Sequence, residues 1–292
     1  MKKDLLDILA CPSCKKKIVL KENFFRCGSC KKNFEMINGV PVLMTEIKKK
    51  KYGGMMNSDE SKKMMSEYYG KEDFLDRMSK KIPLPFPMYN ARPQFKKSIW
   101  NKLYESRKER TLVLSIGGGP SRDDHREINL NIGLFPNVDI VADGYEVPIR
   151  SGSVDSVICK AVLEHVEFPD KLIREMRRVL KKGGHLYVEA PFLFVYHSYP
   201  SDFFRYTVTG LEALCSDFSK IESGIVLGPT SSVLEIFITY ILLLVPNIKF
   251  LKKMTSAFFR IILSPFKYLD LLLNKKEGAH SLSAGLYFFG AK

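Results

Sequence analysis

The sequence predicts an α/β protein: a mainly parallel sheet of seven strands with helices on its faces. A small cysteine-rich module precedes the sheet, and a helical insert interrupts it before the last strand. Three observations carry this expectation. From Thr111 onward, short apolar runs alternate with helical patterns, as strands joined by crossover helices do. Four of the six cysteines fall within a 20-residue window ahead of that region. Residues 229–280, between the last two strand candidates, are far longer than a hairpin connection needs.

Composition bounds the rest. A chain of 292 residues holds one large domain and a small one. At 45% hydrophobic and 27% charged it has the makings of a packed core, which argues against a disordered or fibrous protein. The net charge of +14 is uneven, since residues 1–51 hold 13 Lys/Arg against 5 Asp/Glu and so supply +8. A basic balance favours anionic partners such as nucleic acid, phospholipid or phosphorylated glycan, without choosing among them. Asp4 and Asp7 interrupt the first apolar run, and no uncharged stretch reaches the roughly 18 residues that cross a bilayer. The expectation is a cytoplasmic chain.

Taken in order, residues 1–45 form the module. Cys11-Pro12-Ser13-Cys14 and Cys27-Gly28-Ser29-Cys30 are two C-x2-C knuckles separated by 12 residues. Each can place two thiolates on one face of a tight turn. Two facing knuckles make a tetrahedral all-sulfur site for structural zinc, held by Cys11, Cys14, Cys27 and Cys30. The alternatives are two redox pairs or coincidental surface cysteines. Cys159 and Cys215 stand alone in apolar surroundings, so the cysteines suit one metal site in a reducing compartment better than a disulfide framework.

Residues 46–110 read as a linker, with a lysine run at 48–51 and prolines at 83, 85, 87 and 93, turning helical near 94–110. The domain proper, 111–292, offers strands at Leu112–Ile116, Ile128–Ile132, Val138–Ala142, Val154–Cys159, His185–Glu189, Ile221–Leu227 and Leu286–Ala291. Asp170–Leu180 is an amphipathic helix, expected to stop at Gly183-Gly184.

The first of these strands runs into Gly117-Gly118-Gly119-Pro120-Ser121. Glycine there lets the backbone approach a nucleotide or amino-acid moiety closely, though a plain strand-to-helix turn would also use it. The third, spaced glycine of a dinucleotide fingerprint is missing, which counts against NAD. Downstream come Val141-Ala142-Asp143, the Val147-Pro148-Ile149 turn, Ser153-Val154-Asp155-Ser156-Val157, Val162-Leu163-Glu164-His165-Val166 and Arg177-Arg178-Val179-Leu180-Lys181-Lys182-Gly183-Gly184.

Two resemblances follow from these residues. Leu5-Leu6-Asp7-Ile8-Leu9-Ala10-Cys11-Pro12, the second knuckle and Asn38-Gly39-Val40-Pro41-Val42-Leu43 resemble the small zinc-ribbon proteins that activate tRNA, rRNA and release-factor methyltransferases. That resemblance implies a built-in stabilising partner, and because ribbons also bind RNA it leaves nucleic acid open. The ordered motifs over 111–227 and 284–292 resemble class I methyltransferases, implying a Rossmann-like fold and S-adenosyl-L-methionine as cofactor. Carried over by position, Gly117 and Gly119 would line its methionine part and Asn131 its ribose. Asp143 would accept from the adenine amino group, while Lys160 and Ala161 would border the transferring methyl. This chain departs from the family at Ser115 and Asn131, where an acidic residue is usual, and at Ser121, usually glycine. The stretch 122–127 is also too short for a full helix. Weakened cofactor binding, or a non-catalytic binding protein, are the alternatives these departures leave.

For the acceptor, the residues after the fifth strand matter. His197, Asp202 and Arg205, set among Phe192, Phe194, Tyr196, Tyr199, Phe203, Phe204 and Tyr206, read as a pocket wall carrying the catalytic groups. The competing reading is a structural Asp202–Arg205 ion pair. His165 reads as a capping and packing residue. The segment resembles methyltransferases among bacterial surface-polysaccharide enzymes, implying a sugar or lipid-linked glycan acceptor. RNA or protein methylation is the runner-up, although no Asn-Pro-Pro-Tyr motif is present.

Within 229–280, Val233–Val245 is almost wholly apolar, and Lys249, Lys252 and Lys253 follow it. Lys253, Ser256, Arg260, Ser264, Lys267, Asp270 and Asn274 then fall on one narrow helical stripe amid Phe, Ile and Leu, with a kink near Pro265. Such helices could pack on the sheet, roof the site or form a homodimer interface. They could instead lie peripherally in the cytoplasmic face of an anionic membrane.

Overall fold

A computed structural model of the chain describes residues 3–56, 97–105, 111–119, 122–198 and 201–292. The Pro-rich stretch 83–93, Pro120, Ser121, Tyr199, Pro200 and the ends of the 94–110 helix lie outside the described residues.

The N-terminal module opens with α1 (Lys3–Ile8) and continues as a four-stranded antiparallel sheet in sequential order. Its strands are β1 (Ile18–Leu20), β2 (Phe24–Cys27), β3 (Asn33–Ile37) and β4 (Val40–Pro41). Asn38 and Gly39 join β3 to β4 with φ of 50° and 78°, the two positive angles that a tight hairpin turn needs and that Asn-Gly tolerates best. Phe25 and Phe34 fill the inner face.

The large sheet has seven strands: β5 (Val113–Ile116), β6 (Glu127–Asn131), β7 (Ile140–Val141), β8 (Val154–Lys160), β9 (Leu180–Pro191), β10 (Ser219–Leu227) and β11 (Gly285–Ala291). Their order is β10-β11-β9-β8-β5-β6-β7, with the β9 to β7 half parallel and β11 antiparallel to both neighbours. Each strand expected from the sequence is present, within a few residues at the ends. The fold is a Rossmann-like α/β architecture, a mainly parallel seven-stranded sheet with flanking helices. From β5 the chain winds outward to β6 and β7, then returns to add β8 on β5's other side, so the order reverses between β5 and β8. Ligands of open α/β sheets bind beyond the strand ends at such a crossing.

Flanking helices are α2 (Glu46–Met56), α3 (Lys97–Tyr104), α4 (Pro169–Val179) and α5 (Val208–Leu214). α2 begins inside the segment that reads as a linker. α4 starts with proline at its first turn and buries Leu172, Ile173, Met176 and Val179. The expected stop at Gly183-Gly184 is corrected. Leu180 is already extended (φ −67°, ψ 137°), and both glycines lie within β9. Gly183 takes φ 71° and donates its N–H to the Lys292 carbonyl at 2.9 Å. A Cβ on Gly184 would stand 2.9 Å from the carbonyls of Asp155 and Lys181. These glycines serve a strand irregularity, not a helix cap.

The module and the sheet share one core. Leu5, Ile8, Leu9, Phe25, Phe34 and Leu43 belong to the same cluster as Val147, Ile149, Met176 and Val179. Backbone bonds stitch the seam: Leu43 N to Val141 O (2.8 Å), Arg150 N to Ile8 O (2.8 Å) and Ala10 N to Pro148 O (2.9 Å). Val42 bridges Val141 in parallel, covering the edge that β7 would otherwise leave open.

The insert is built the other way round. It comprises α6 (Pro229–Leu244), α7 (Lys249–Leu263), a 3-10 turn (Ser264–Leu269) in which Pro265 ends the α-helix, and α8 (Asp270–Leu273). From Arg260 to Asp270 its polar stripe faces inward. Asp270 accepts from the Thr230 and Ser231 amides (2.7 and 3.1 Å) and the Ser231 hydroxyl (2.7 Å), capping the start of α6. Arg260 reaches Glu235 at 2.9 Å, and Ser264 and Lys267 are buried. The apolar residues face out, with Leu243 77%, Phe250 74% and Leu272 65% exposed. Among the described residues, no helix is long and apolar enough to cross a membrane.

Candidate active site

A cavity of about 590 Å³ opens at the β5/β8 crossing, a size that suits a cofactor or drug-sized ligand. Ile116, Gly117 and Gly119 after β5 line it, as do Leu130, Asn131 and Ile132 at the end of β6 and Ala142 and Asp143 after β7. Ala161 and Val162 after β8 complete the rim, with His165, Phe168 and Leu172 beyond. Five of the six cofactor residues expected from the sequence, Gly117, Gly119, Asn131, Asp143 and Ala161, therefore share one space. Lys160 stands apart from them: its ammonium turns to the Asp123 carboxylate, and it is not among the lining residues.

Local conformation explains each position. Gly117 and Gly119 hold φ of 71° and 63°. A Cβ on Gly117 would stand 2.3 Å from Val162 Cγ2, so glycine is demanded by the loop's own packing as well as by any ligand. Asn129 braces the loop, its Nδ2 donating to Gly119 O at 2.9 Å. Ala161 takes φ 51°, a strained angle for a residue with a Cβ, at the cavity wall. Asn131 turns its Oδ1 to the Ile132 amide at 2.7 Å, which ties the carbonyl side to its own turn.

Asp143 has one hydrogen bond and one ion pair. One oxygen accepts from Tyr145 N at 2.9 Å, and the other lies 2.7 Å from Lys48 Nζ of α2. Burial works against the Lys48 charge, yet Asp143 outweighs it and raises the Lys48 pKa. Lys48, Lys51 and Tyr52 all line the cavity. Their contribution was not legible in the sequence, where a lysine run ahead of a Pro-rich stretch looks like solvated linker.

The three expected catalytic residues lie behind the wall. Asp202 takes both Arg205 Nη atoms, one at 2.6 Å, and the His197 amide at 2.8 Å. Arg205 hydrogen bonds, foremost, hold the Asp202 carboxyl down at about 2. Arg205 also donates to the carbonyls of Phe194 and Val195, both at 3.1 Å. The pair thus clamps the loop that brings Ser201 and Phe203 to the cavity, and neither Asp202, Arg205 nor His197 lines it. His165, read from the sequence as a packing residue, does line it. Glu164 beside it is buried with both carboxylate oxygens lacking a hydrogen bond.

In the module, Cys11 Sγ and Cys30 Sγ stand 3.6 Å apart, and Cys14 Sγ and Cys27 Sγ 3.5 Å apart. All four sulfurs lie within 4.8 Å of one another, and no disulfide joins them. A zinc tetrahedron with bonds of about 2.3 Å separates its sulfurs by about 3.8 Å, so the donor set and spacing fit that ion.

Comparison with known proteins bears on this geometry. Residues 124–188 match a family model described as a methyltransferase domain. An uncharacterized protein of Methanocaldococcus jannaschii is 39% identical over 49 residues, covering 17% of this chain and 24% of that protein. The chain thus matches about a quarter of the length of that curated relative. Among solved structures, the cyclase SpnF is similar at 16% identity and TM-score 0.40, over 62% of this chain and 75% of that one. Phosphoethanolamine N-methyltransferase 2 of Haemonchus contortus, in complex with S-adenosyl-L-methionine, is similar at 16% identity and TM-score 0.41, over 76% and 59%. A complex between the Haloferax volcanii Trm112 methyltransferase activator and a provisionally assigned methyltransferase is similar at 13% and TM-score 0.38, over 74% and 92%.

Proposed function

We propose that this chain, whose residues 124–188 match a methyltransferase domain model, is a class I S-adenosylmethionine-dependent methyltransferase that methylates a sugar or lipid-linked glycan presented at a membrane surface. The observation that supports methyl transfer most is the cavity at the β5/β8 crossing, where Gly117, Gly119, Asn131, Asp143 and Ala161 converge. Bound there, the cofactor supplies an electrophilic methyl on a sulfonium. The residues of the chain have to align that methyl with the acceptor and exclude water. Gly117 and Gly119 bring backbone close to the ligand, and Asn131 and Asp143 offer its polar edges hydrogen bonds. Asp143 keeps lone pairs to accept from an adenine amino group, and Lys48 competes for its Oδ2. Leu130, Ile132, Phe168 and Leu172 supply apolar walls. The Asp202–Arg205 clamp and His197 position the loop carrying Ser201 and Phe203.

The acceptor class is supported by the insert. Ser232 of α6 donates to Leu193 O at 2.7 Å, at the start of that same loop, so the outward apolar helices adjoin the cavity wall. A lipid-linked acceptor would reach the cavity from the surface those helices occupy. The same reading gives the module one structural zinc, held by Cys11, Cys14, Cys27 and Cys30, as a built-in brace for the seam.

The experiment is transfer of a tritiated methyl from the cofactor to fractionated cell extract. Label in the lipid-linked glycan fraction is expected. Label confined to RNA or protein would overturn the acceptor, and absence of label with absence of cofactor binding would overturn methyl transfer itself.

A further inference from the structure

A buried carboxylate without a hydrogen bond is costly, by several kcal/mol on typical scales, and asks for a counter-charge. Glu164 is such a group: it is 0% exposed and neither oxygen has a hydrogen-bond partner. Two imidazoles converge on it. His165 Nε2 lies 3.9 Å and His197 Nε2 3.7 Å from Glu164 Oε1, both beyond hydrogen-bond length. Each ring is anchored through its other nitrogen. His165 Nδ1 meets Ser201 O at 2.6 Å. His197 Nδ1 meets Val195 O at 3.1 Å and lies 3.5 Å from the Asp202 carboxylate that Arg205 locks. An Nδ1–H donated to a carbonyl leaves the Nε2 lone pair aimed inward, the arrangement by which proteins orient metal-binding histidines.

We infer that Glu164, His165 and His197 form a second metal site, distinct from the four-cysteine module, that takes a first-row divalent cation such as Zn²⁺ or Co²⁺. The three ligand atoms lie within 4.8 Å of one another. Bonds of about 2.0–2.1 Å in a tetrahedron set such atoms about 3.3 Å apart, so each histidine need close on Glu164 Oε1 by only about half an ångström. Two imidazoles and one carboxylate suit zinc, cobalt, manganese and ferrous iron, and three protein ligands leave coordination positions open. One charge of the ion neutralises Glu164, which the two rings by themselves satisfy with no hydrogen bond. His165 also lines the large cavity, so the ion adjoins it. If the methyl-transfer reading holds, an acceptor hydroxyl there would bind the ion through oxygen and become easier to deprotonate. Metal binding itself does not rest on that reading.

The test uses the full chain with zinc in its cysteine module, titrated with Co²⁺ in the absence of cofactor. A second equivalent should bind with a visible ligand-field spectrum and without the near-ultraviolet thiolate charge-transfer band that cobalt in the module would give. Glu164→Gln and the double variant His165→Gln/His197→Gln should weaken that equivalent at least tenfold while the module keeps its zinc. A wild-type chain binding only at the cysteines would overturn the proposal, as would a second equivalent unchanged in the variants. Should the variants misfold, Cu²⁺ spin resonance of the wild type decides: coupling to two imidazole nitrogens is expected, and a signal lacking it refutes the site.

Discussion

The seam between module and sheet and the surface of the insert are both made of Leu, Ile and Phe, but they are solved in opposite senses. At the seam, apolar residues from 1–45 and from the sheet meet inside one core, and the Val42 bridge closes the β7 edge. In the insert, Glu235, Ser264, Lys267 and Asp270 are buried while Leu243, Phe250 and Leu272 face out. Burying a large apolar side chain is worth roughly 1.5–3 kcal/mol, so an outward array of this kind forgoes much stabilisation in water. Soluble surfaces seldom carry contiguous patches of that extent without a binding role. The seam is finished within one chain; the insert leaves its apolar face exposed.

The largest effect is expected at the zinc proposed for the four cysteines. Cys27→Ser removes one of four thiolates, and structural zinc supplies much of the folding free energy of such small modules. Because the core is shared, the variant should lose zinc and lower the stability of the whole chain by several kcal/mol, read as a large fall in denaturation midpoint. Loss of zinc with an unchanged midpoint would show that module and sheet are separate folding units.

Replacing Leu243 and Phe250 by Glu tests the other side of the comparison. The pair should abolish flotation of the full chain with anionic liposomes and leave its denaturation midpoint within about 1 kcal/mol, since both residues are exposed. A marked drop in midpoint, or a dimer that becomes a monomer, would assign the surface to protein packing instead. A smaller, salt-sensitive effect belongs to the flanking lysines. Basic residues near an anionic surface contribute about 1 kcal/mol each, so Lys249→Gln, Lys252→Gln and Lys253→Gln combined should weaken liposome binding by about a hundredfold at low salt. Equal binding to neutral and anionic vesicles would remove charge from the account.

The smallest effect lies where the seam meets the cavity. Lys48 is partly exposed and its pair with the buried Asp143 carboxylate competes with a ligand. Lys48→Ala should tighten S-adenosyl-L-methionine binding by about two- to fivefold, the value of a screened ion pair of about 0.5–1 kcal/mol. Weaker binding would mean that Lys48 contacts the cofactor rather than obstructing it.

What the sequence disclosed follows the range of its signals. Strands such as β5 and β11, buried along nearly their whole length and mostly apolar, lie where expected. The glycine loop and Asp143 were legible because a strand-to-loop motif fixes them locally. Lys48 was not, since its partner is about a hundred positions away and no local pattern announces the pairing. Glu164 and His165 sit in a motif that packs well on its own, and only the return of the 192–205 loop brings His197 to them. Helical periodicity found the polar stripe of 253–274 but not which way it faces, because amphipathicity is the same for a helix turned inward or outward. Gly183-Gly184 misled because glycine punctuates strands as well as helices.

The central claim is that the cavity binds the cofactor through the strand-end residues, and calorimetric titration of S-adenosyl-L-methionine into the full chain tests it most directly. The account predicts one molecule bound per chain, and a loss of roughly tenfold to a hundredfold in affinity for Asp143→Asn, since a hydrogen bond to a charged group contributes about 1.5–3 kcal/mol. No binding heat in the wild type, or an Asp143→Asn variant that binds as tightly, would contradict it.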